Sequence, residues 1–399
     1  MSAERQVMDA KGDARHLTTA EVASRLEIKP ETVYAYVSRG LLTKIPAAGR
    51  RGSLFREDEV ARLAHGRRHG GERRGAMADI VTAISRIEDD RLSYRGHNVE
   101  DLTQPIESVA GLLWTGELDS PAQQFTAPAE ILTTCRAAVG ALADSVRLTD
   151  RMRVAVTVAS ASDQLRFDLS PQGVLRTARI LLAVEVDCLG TTQLDSGTLA
   201  QRLGPSLTDH PLPAGLLDST LTLLADHGLA ISTMAARVAA SARVHPYGVV
   251  SAGLGALDSQ YHGAASTVAY RFLDDAIADP LGAASERLRL GGGLPGFGHL
   301  IYRITDPRAE LLLTLLRSVP AAAPALTAID TITAQLGAPH TAVPNIDLAL
   351  AVLMHAYRMR PDAGEAIFAI ARTIGWIAHT LEEYTEPPMR FRPNRTPVQ

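Results

Sequence analysis

The chain has 399 residues, of which 46% are hydrophobic, 21% charged and only 5% aromatic. This length allows two or three domains with a substantial buried core. The sequence has no run of about 18 uncharged apolar residues and no apolar core in its N-terminal segment MSAERQVMDAKGDARH, which excludes a membrane-spanning protein. The two cysteines, Cys135 and Cys188, lack metal-ligand or redox spacing, so we expect a reduced, cytoplasmic location.

Charge is unevenly distributed along the chain. Residues 1–75 carry 15 Lys and Arg against 10 Asp and Glu, which leaves 25 against 34 for residues 76–399. The first segment therefore has a net charge of +5 and the rest a net charge of −9. This asymmetry indicates that the N-terminal segment, here called the head, meets an anionic partner.

The head shows the pattern of a small helical unit. Thr18 followed by Glu21 predicts a capping box at the start of a first helix, and a second helix is predicted from Pro30 to Arg39. The basic stretch G-R-R-G-S-L-F-R then predicts a hairpin, and E-D-E-V-A-R-L a third short helix. Helix, tight turn, helix and basic wing follow one another in that order.

This order resembles the MerR-like or excisionase-like winged helix-turn-helix. The resemblance places a domain at residues 1–68 with a flexible N-terminus, followed by a basic linker at 69–75. It implies DNA contacts from the second helix and the wing, made by Lys29, Thr32, Tyr34, Tyr36, Ser38, Arg39, Arg50 and Arg51. Helix-turn-helix units also serve as dimerisation or protein-docking modules, and this alternative is equally favoured.

The remaining chain, the body, is predicted to be mainly α-helical. Alternation between residues 80 and 97 predicts a short strand hairpin, and P-I-E-S-V-A-G-L-L-W starts an amphipathic helix. Alanine- and leucine-rich helices fill residues 128–207, and two further helices are predicted at 213–241 and 246–257. Because no strand series follows, the fold class is all-α apart from short hairpins.

One stretch of the body carries unusual chemistry. Residues 294–308 read L-P-G-F-G-H-L-I-Y-R-I-T-D-P-R, so glycines predict a loop that presents His299, with Arg303 and Arg308 nearby. A histidine flanked by fixed positive charge suits a carbonyl or carboxylate ligand. From this loop alone, a surface turn with a solvated histidine is an equally good interpretation.

Further segments occur around this loop in a fixed order. They are D-H-G-L-A-I-S-T-M-A-A-R with His227, L-D-S-Q-Y-H-G-A-A-S with His262, V-P-N-I-D-L-A-L with Asp347, and F-A-I-A-R-T-I-G-W-I-A-H with Arg372, followed by Arg392. Together with G-F-G-H…D-P-R they resemble the active-site segments of the citrate synthase family. The resemblance runs from about Met77 to the end of the chain, and several ordered motifs over some 300 residues make it specific.

The resemblance implies a two-domain helical fold. Its large domain comprises residues 76–262 and 358–399, and its small domain comprises residues 263–357. The small domain is expected to close over the bound keto acid, and the chain is expected to form a homodimer. No metal or redox cofactor is implied, because the thioester is itself a substrate.

The resemblance also implies a reaction and a role for each matched residue. Citrate synthases condense an acyl-CoA methyl carbon with oxaloacetate, which requires a base and donors for the oxyanions that form. Asp347 corresponds to the base, His262 to the donor on the thioester oxygen and His299 to the donor on the keto oxygen. The oxaloacetate carboxylates are assigned to His227, Arg308, Arg372 and, across the dimer, Arg392, and a CoA phosphate to Arg303.

The sequence departs from the family on the acyl-CoA side. Where the family usually has G-P-L-H-G-G-A-N, this chain has S-Q-Y-H-G-A-A-S, with Ser259, Gln260 and Tyr261 preceding the histidine. The acyl donor is therefore open: acetyl-CoA is expected, and propionyl-CoA, giving 2-methylcitrate, is the alternative. Two alternative functions remain as hypotheses. One is a DNA-binding regulator whose body senses a metabolite, and the other is a weakly catalytic interaction protein. A sensor needs the arginines but not the base, so the presence of Asp347, His262 and His299 together favours the enzyme.

Overall fold

The structure is a computed structural model that describes residues 16–26, 33, 37, 42–46, 53–57, 59–60, 80–118, 124–190, 196–213, 215–302, 304–336 and 343–391. The chain divides into two compact units, Met1–Ile80 and Val81–Gln399. The first unit contains the head, and the second contains the predicted catalytic segments.

The described part of the first unit includes a small antiparallel sheet and one complete helix. The strands β1 (His16–Thr18), β2 (Ile45–Pro46) and β3 (Ser53–Arg56) pair in the order β1-β3-β2. Helix α1 (Thr19–Arg25) begins with the predicted capping box, because the Thr18 hydroxyl accepts from the Glu21 amide and the Glu21 carboxylate accepts from the Thr18 amide. This prediction is confirmed.

An apolar core joins these elements of the first unit. It is formed by Leu17, Val22, Ala23, Leu26, Val33, Leu42, Phe55 and Val60. The residues predicted to meet DNA, which are Lys29, Thr32, Tyr34, Tyr36, Ser38, Arg39, Arg50 and Arg51, lie outside the described residues. Their role in DNA binding stays a prediction.

The second unit opens with the predicted hairpin. Strands β4 (Ser85–Glu88) and β5 (Arg91–Tyr94) pair antiparallel, and β6 (His97–Asn98) adds to β5. Asp89 and Asp90 make the turn with φ values of 50° and 56°. Short acidic side chains tolerate this left-handed region better than bulky ones, which explains the tight connection.

Helices make up most of the second unit, in agreement with the predicted fold class. In chain order they are α2 (Ile106–Thr115), α3 (Ala129–Gly140), α4 (Leu148–Ser162), α5 (Pro171–Asp187), α6 (Leu199–Leu207), α7 (Leu216–Leu224), α8 (Ile231–Ser241), α9 (Pro246–Leu257), α10 (Ala265–Ala278), α11 (Pro280–Arg289), α12 (Pro307–Leu316), α13 (Ala323–Leu336), α14 (Ile346–Ala356) and α15 (Ala363–Thr385).

One predicted helix is wrong. The pattern over residues 213–241 predicts a single helix, but the structure has two, α7 and α8, separated around Asp226 and Gly228. The Asp226 carboxylate accepts from the Gly228 amide at 3.1 Å, and Gly228 adopts φ +60°. Local side-chain bonding of this kind competes with the helical pattern. The break leaves His227 in the connection between α7 and α8 instead of within a helix.

Helix α15 is the central element of the core. Every residue from 363 to 380 is buried, and the helix packs against α5, α7, α8 and α9. Two glycines permit this packing: a Cβ at Gly253 would lie 2.7 Å from the Trp376 ring, and one at Gly375 would lie 2.3 Å from the Ala225 carbonyl oxygen. A helix buried on all sides is held in a fixed position, which suits it to carry an active-site side chain.

A membrane span requires a helix of sufficient length and apolarity. In the part of the chain that the structure describes, no single helix is long and apolar enough to cross a membrane, and only Pro307–Leu316 with Pro320–Gln335 reaches that length and apolarity as a pair.

Candidate active site

The glycine-rich loop before His299 depends on two left-handed residues. Gly296 and Gly298 adopt φ values of +81° and +79°, which side chains other than glycine rarely adopt. A Cβ on Gly296 would also lie 2.6 Å from Cβ of Leu348. Glycine is therefore required at position 296 both by conformation and by space.

This loop is hydrogen-bonded to the segment that precedes α14. The Asn345 amide donates to the Gly296 carbonyl at 2.9 Å, and the Gly298 amide donates to the Val343 carbonyl at 2.8 Å. The Asn345 side chain donates to the Gly298 carbonyl at 2.9 Å. These bonds bring the histidine loop beside the N-terminus of α14, although the two segments are about 45 residues apart in the sequence.

Asp347 lies in the first turn of α14, where Asn345 is the N-cap. The Asn345 side chain accepts from the amides of Asp347 and Leu348, so the cap does not occupy the Asp347 carboxylate. The residue is partly exposed, but its Oδ1 is buried and has no hydrogen-bond partner among the described residues. Burial raises the pKa of Asp347 to about 7, against the opposing charges of Arg308 and Arg372.

Arg308 is held in a buried ion pair. Its Nε and Nη2 donate to the two carboxylate oxygens of Asp306 at 2.9 and 2.8 Å. Burial opposes the guanidinium charge, but the Asp306 carboxylate outweighs it and raises the pKa of Arg308. Asp306 is also the N-cap of α12 and accepts from the Ile346 amide at 3.1 Å, so the pair joins the N-termini of α12 and α14.

His299 presents a donor toward this arginine. Its Nδ1 accepts from the amides of Ile301 and Tyr302 at 3.0 and 3.2 Å, which places the proton of the neutral ring on Nε2. Burial and the nearby Arg308 lower the pKa of His299, so the ring is neutral near pH 7. Nε2 lies 3.3 Å from Nη2 of Arg308. Two donors that converge in this way suit an acceptor oxygen from a ligand.

His227 stands next to His299. The rings meet edge to face with centroids 5.4 Å apart, and His227 Nε2 bonds the Tyr302 hydroxyl at 3.0 Å. Burial, followed by the charge of Arg308, lowers the pKa of His227 well below its ordinary value. His227 is therefore a neutral hydrogen-bonding group and not a cation.

Arg372 reaches the site from the central helix α15. Its Nε donates to the Leu224 carbonyl at 3.1 Å, and its guanidinium lies 4.8 Å from the centre of the Phe368 ring. The side chain is only 1% exposed, and Nη1 has no hydrogen-bond partner among the residues that the structure describes. Burial lowers the pKa of Arg372, against the opposing charge of Asp226.

His262 lies in the loop after α9 and completes the cluster. Its Nε2 bonds the Ser232 hydroxyl at 2.8 Å, and its ring meets Phe368 edge to face at 5.6 Å. Burial, followed by the charge of Arg372, lowers the pKa of His262 to about 4. This histidine is neutral at pH 7 and can donate one hydrogen bond from its ring.

The structure therefore gathers six of the predicted site residues, namely His227, His262, His299, Arg308, Asp347 and Arg372, through mutual contacts and electrostatic interactions. Arg303 and Arg392 lie outside the described residues, and the roles of all eight stay predictions.

The sequence patterns missed four supporting residues: Asp226, Ser232, Tyr302 and Asp306. The D-P pair at 306–307 is a helix-start signal that could have indicated one of them.

This arrangement defines a class of protein. A mainly helical fold carries neutral histidines, two buried arginines and a carboxylate whose pKa lies near neutrality. Such a set of groups is typical of an enzyme that binds an anionic substrate and moves a proton. Comparison with known proteins gives the family. The family described as "Citrate synthase, C-terminal domain" matches residues 75–394, so the chain belongs to the citrate synthase family and is a citrate synthase-type enzyme.

The head matches a separate family. Residues 17–68 match the family described as "Helix-turn-helix domain". The winged-helix-like order of elements predicted from the sequence agrees with this match.

The chain is similar both to proteins named citrate synthase and to proteins named 2-methylcitrate synthase. A citrate synthase of Haloferax volcanii is 26% identical over 79% of this chain and 93% of its own length. A protein named 2-methylcitrate synthase 2, from Corynebacterium glutamicum, is 29% identical over 78% of this chain and 90% of its own length.

Solved structures show the same fold. The citrate synthase of Pyrobaculum aerophilum superposes with a TM-score of 0.67 and 23% identity, over 81% of this chain and 91% of that one. A citrate synthase of Thermoplasma acidophilum in a ternary complex with carboxymethyl coenzyme A and oxaloacetate superposes with a TM-score of 0.64 and 22% identity, over 80% of this chain and 93% of that one.

Proposed function

We propose that the protein condenses a short acyl-CoA, acetyl-CoA in the first place, with oxaloacetate to give citrate and CoA. The observation that carries this proposal is that one cluster contains both a buried hydrogen-bond donor and a buried hydrogen-bond acceptor that have no partners in the described part of the chain. Nη1 of Arg372 is a donor without an acceptor, and Oδ1 of Asp347 is an acceptor without a donor, among the described residues. Buried groups of this kind cost free energy unless a substrate uses them.

The cationic half of the cluster suits a dicarboxylate keto acid. Arg308 and Arg372 are buried and supply fixed positive charge, while His227 and His299 supply neutral donors. A guanidinium binds a carboxylate through two parallel hydrogen bonds, which sets orientation as well as charge. We assign the oxaloacetate carboxylates to the arginines and His227, with Arg392 of a second subunit of a homodimer as a further partner.

The carboxylate half suits removal of a proton from the acyl methyl group. Asp347, with its pKa raised to about 7, is a stronger base than an ordinary aspartate and is still ionised in part at neutral pH. We assign Ser232 as the donor to Nε2 of His262, 2.8 Å away, so that the Nδ1 proton of His262 is left to stabilise the enolate oxygen of the thioester. Proton removal by Asp347 and donation by His262 thus occur together.

Carbon–carbon bond formation then places negative charge on the keto oxygen. His299 directs its Nε2 proton toward the space beside Arg308, so both groups donate to that oxygen as the charge develops. Hydrolysis of the resulting citryl thioester releases CoA. Arg303 is assigned to a phosphate of CoA on the basis of the family resemblance.

The identity of the acyl donor is the second question. Because relatives include both citrate synthases and 2-methylcitrate synthases, propionyl-CoA is the alternative donor. Initial rates of free-thiol release with oxaloacetate and either thioester, at micromolar enzyme, test both. A kcat/KM higher for acetyl-CoA supports the proposal, whereas a higher value for propionyl-CoA assigns the protein as a 2-methylcitrate synthase. No thiol release with either donor refutes the enzymatic proposal.

For the head we propose binding to DNA. The helix-turn-helix match and the net charge of +5 over residues 1–75 support it. Because the body carries −9, the affinity should be weak at physiological salt and increase as salt is lowered, as counterion release requires. A mobility-shift titration at several salt concentrations tests this proposal. Absent or salt-insensitive binding favours a protein-docking role.

A further inference from the structure

A cluster of ion pairs surrounds Asp258, four residues before His262. Arg147 donates to both carboxylate oxygens of Asp258, at 2.9 Å from Nη1 and 3.2 Å from Nη2. Arg153 donates to the same carboxylate at 3.0 Å and to the Leu254 carbonyl, in the last turn of α9, at 3.1 Å. The carboxylate therefore has three donor contacts from two arginines. Bidentate arginine–carboxylate pairs of this type fix geometry.

The same arginines are themselves anchored to other elements. Nε and Nη2 of Arg147 bond Asp150 in the first turn of α4, and its Nη1 lies 3.4 Å from Oε2 of Glu365 in the first turn of α15. Glu365 in turn accepts from the Thr267 hydroxyl of α10 at 2.6 Å. The cluster thus connects the end of α9 to α4, α10 and the central helix α15.

The backbone around His262 is hydrogen-bonded to the residues on either side of Asp258. The His262 amide donates to the Ser259 carbonyl at 3.0 Å, and the Gly263 amide donates to the Leu257 carbonyl at 2.9 Å. A Cβ on Gly263 would lie 2.7 Å from that Leu257 oxygen, so the loop turns back closely onto the end of α9. Any movement of Asp258 therefore moves the two carbonyls that hold His262.

We infer that Asp258 is a positioning residue for His262: the Arg147–Asp258–Arg153 clamp fixes the loop that carries the thioester-oxygen donor. This inference rests on the proposed function of His262. The family pattern places Gly-Pro two and three residues before this histidine, whereas this chain has Ser259 and Gln260. Proline restricts the backbone covalently, and here an ionic clamp at Asp258, two residues before the proline position, supplies the restraint.

The test compares Asp258→Asn with Asp330→Asn. Asp330 forms an analogous bidentate pair with Arg317, but both side chains are 54% exposed, so the same charge change there should have little effect. We expect Asp258→Asn to lower kcat about 10- to 100-fold, because small displacements of a catalytic group are costly. Oxaloacetate affinity, measured by calorimetry, should be unchanged. Asp258→Glu, which retains the charge, should recover part of the lost kcat.

Hydrogen exchange supplies a readout that does not require turnover. We expect the amides of residues 259–264 to exchange faster in Asp258→Asn than in the wild type or in Asp330→Asn. A wild-type kcat, unchanged exchange in this loop, or a parallel loss of oxaloacetate affinity and melting temperature would each overturn the inference. If the wild type itself releases no thiol, the proposed function fails, and the exchange measurement alone then decides whether Asp258 holds the loop.

Discussion

Replacing Asp347 by Asn should remove activity and increase stability at the same time. Asparagine keeps the shape of the side chain but cannot accept a proton, so kcat should fall by about 10²–10⁴-fold. Oxaloacetate binding should survive, because the cationic half of the site is unchanged. The stability effect follows from the environment of the carboxylate, which is buried at Oδ1 and without a hydrogen-bond partner among the described residues.

The magnitude follows from the raised pKa. Burial raises the pKa of Asp347 from 3.8 to about 7, so the folded state loses stability progressively between about pH 4 and pH 7, where the carboxyl ionises in the unfolded chain but stays protonated in the folded one. Each pKa unit corresponds to about 1.4 kcal/mol, which gives at most about 4 kcal/mol at pH 8. Since the residue is partly exposed, we expect about 2–4 kcal/mol. Asparagine never ionises and avoids this cost.

Thermal unfolding at two pH values measures the effect. For a unit of this size, about 1 kcal/mol shifts the melting temperature by roughly 1.5 °C, so Asp347→Asn should unfold about 3–6 °C higher at pH 8. The difference should fall to less than half at pH 5, where the wild-type carboxyl is protonated in the folded state. A variant that melts below the wild type at pH 8 would refute the reasoning on burial, and wild-type turnover would refute the role as base.

Four other predictions follow from the same site and from the head. Arg308→Ala should weaken oxaloacetate binding about 100-fold or more, measured by calorimetry, because a carboxylate of the bound oxaloacetate would be buried without its cationic partner. Unchanged affinity contradicts this prediction. The kcat/KM for acyl-CoA should rise with pH up to about 7 and then level off as Asp347 ionises, and a flat profile from pH 5 to 8 contradicts it. Gly296→Ala should destabilise the protein by about 1–3 kcal/mol in urea, whereas Gly293→Ala, whose Cβ would meet nothing within 4 Å, should not. A chain that begins at Ala76 should keep its turnover but lose any DNA affinity.

The sequence identifies the candidate site residues better than it identifies the contacts that hold them in place. His299 and Asp347 stand out because glycines and a proline break surround them, but their roles as donor and base follow from the family resemblance and not from residue type alone. The bonds between Gly298 and Val343 and between Asn345 and Gly296 join segments far apart in the chain. No local pattern predicts such pairings, because their partners are chosen by tertiary packing.

The supporting residues show the same limit. Asp306 carries an N-cap signal, but its bond to the Ile346 amide and its pairing with Arg308 depend on how α12 meets α14. The apolar pattern on both sides of residues 226–228 predicts one helix, whereas the break between α7 and α8 depends on the bond from the Gly228 amide to the Asp226 carboxylate. Ser232, on α8, is an ordinary polar residue until folding places it against His262.

Carbon–carbon bond formation is the central claim, and thiol release alone does not distinguish it from thioester hydrolysis. The most direct measurement incubates the protein with oxaloacetate and acetyl-CoA labelled with ¹³C in the methyl group, and follows the label by NMR. The account predicts that the label appears in a methylene carbon of citrate, that its appearance requires oxaloacetate, and that Asp347→Asn suppresses it. Label that appears only in free acetate, or citrate formation that Asp347→Asn leaves unchanged, would contradict the account.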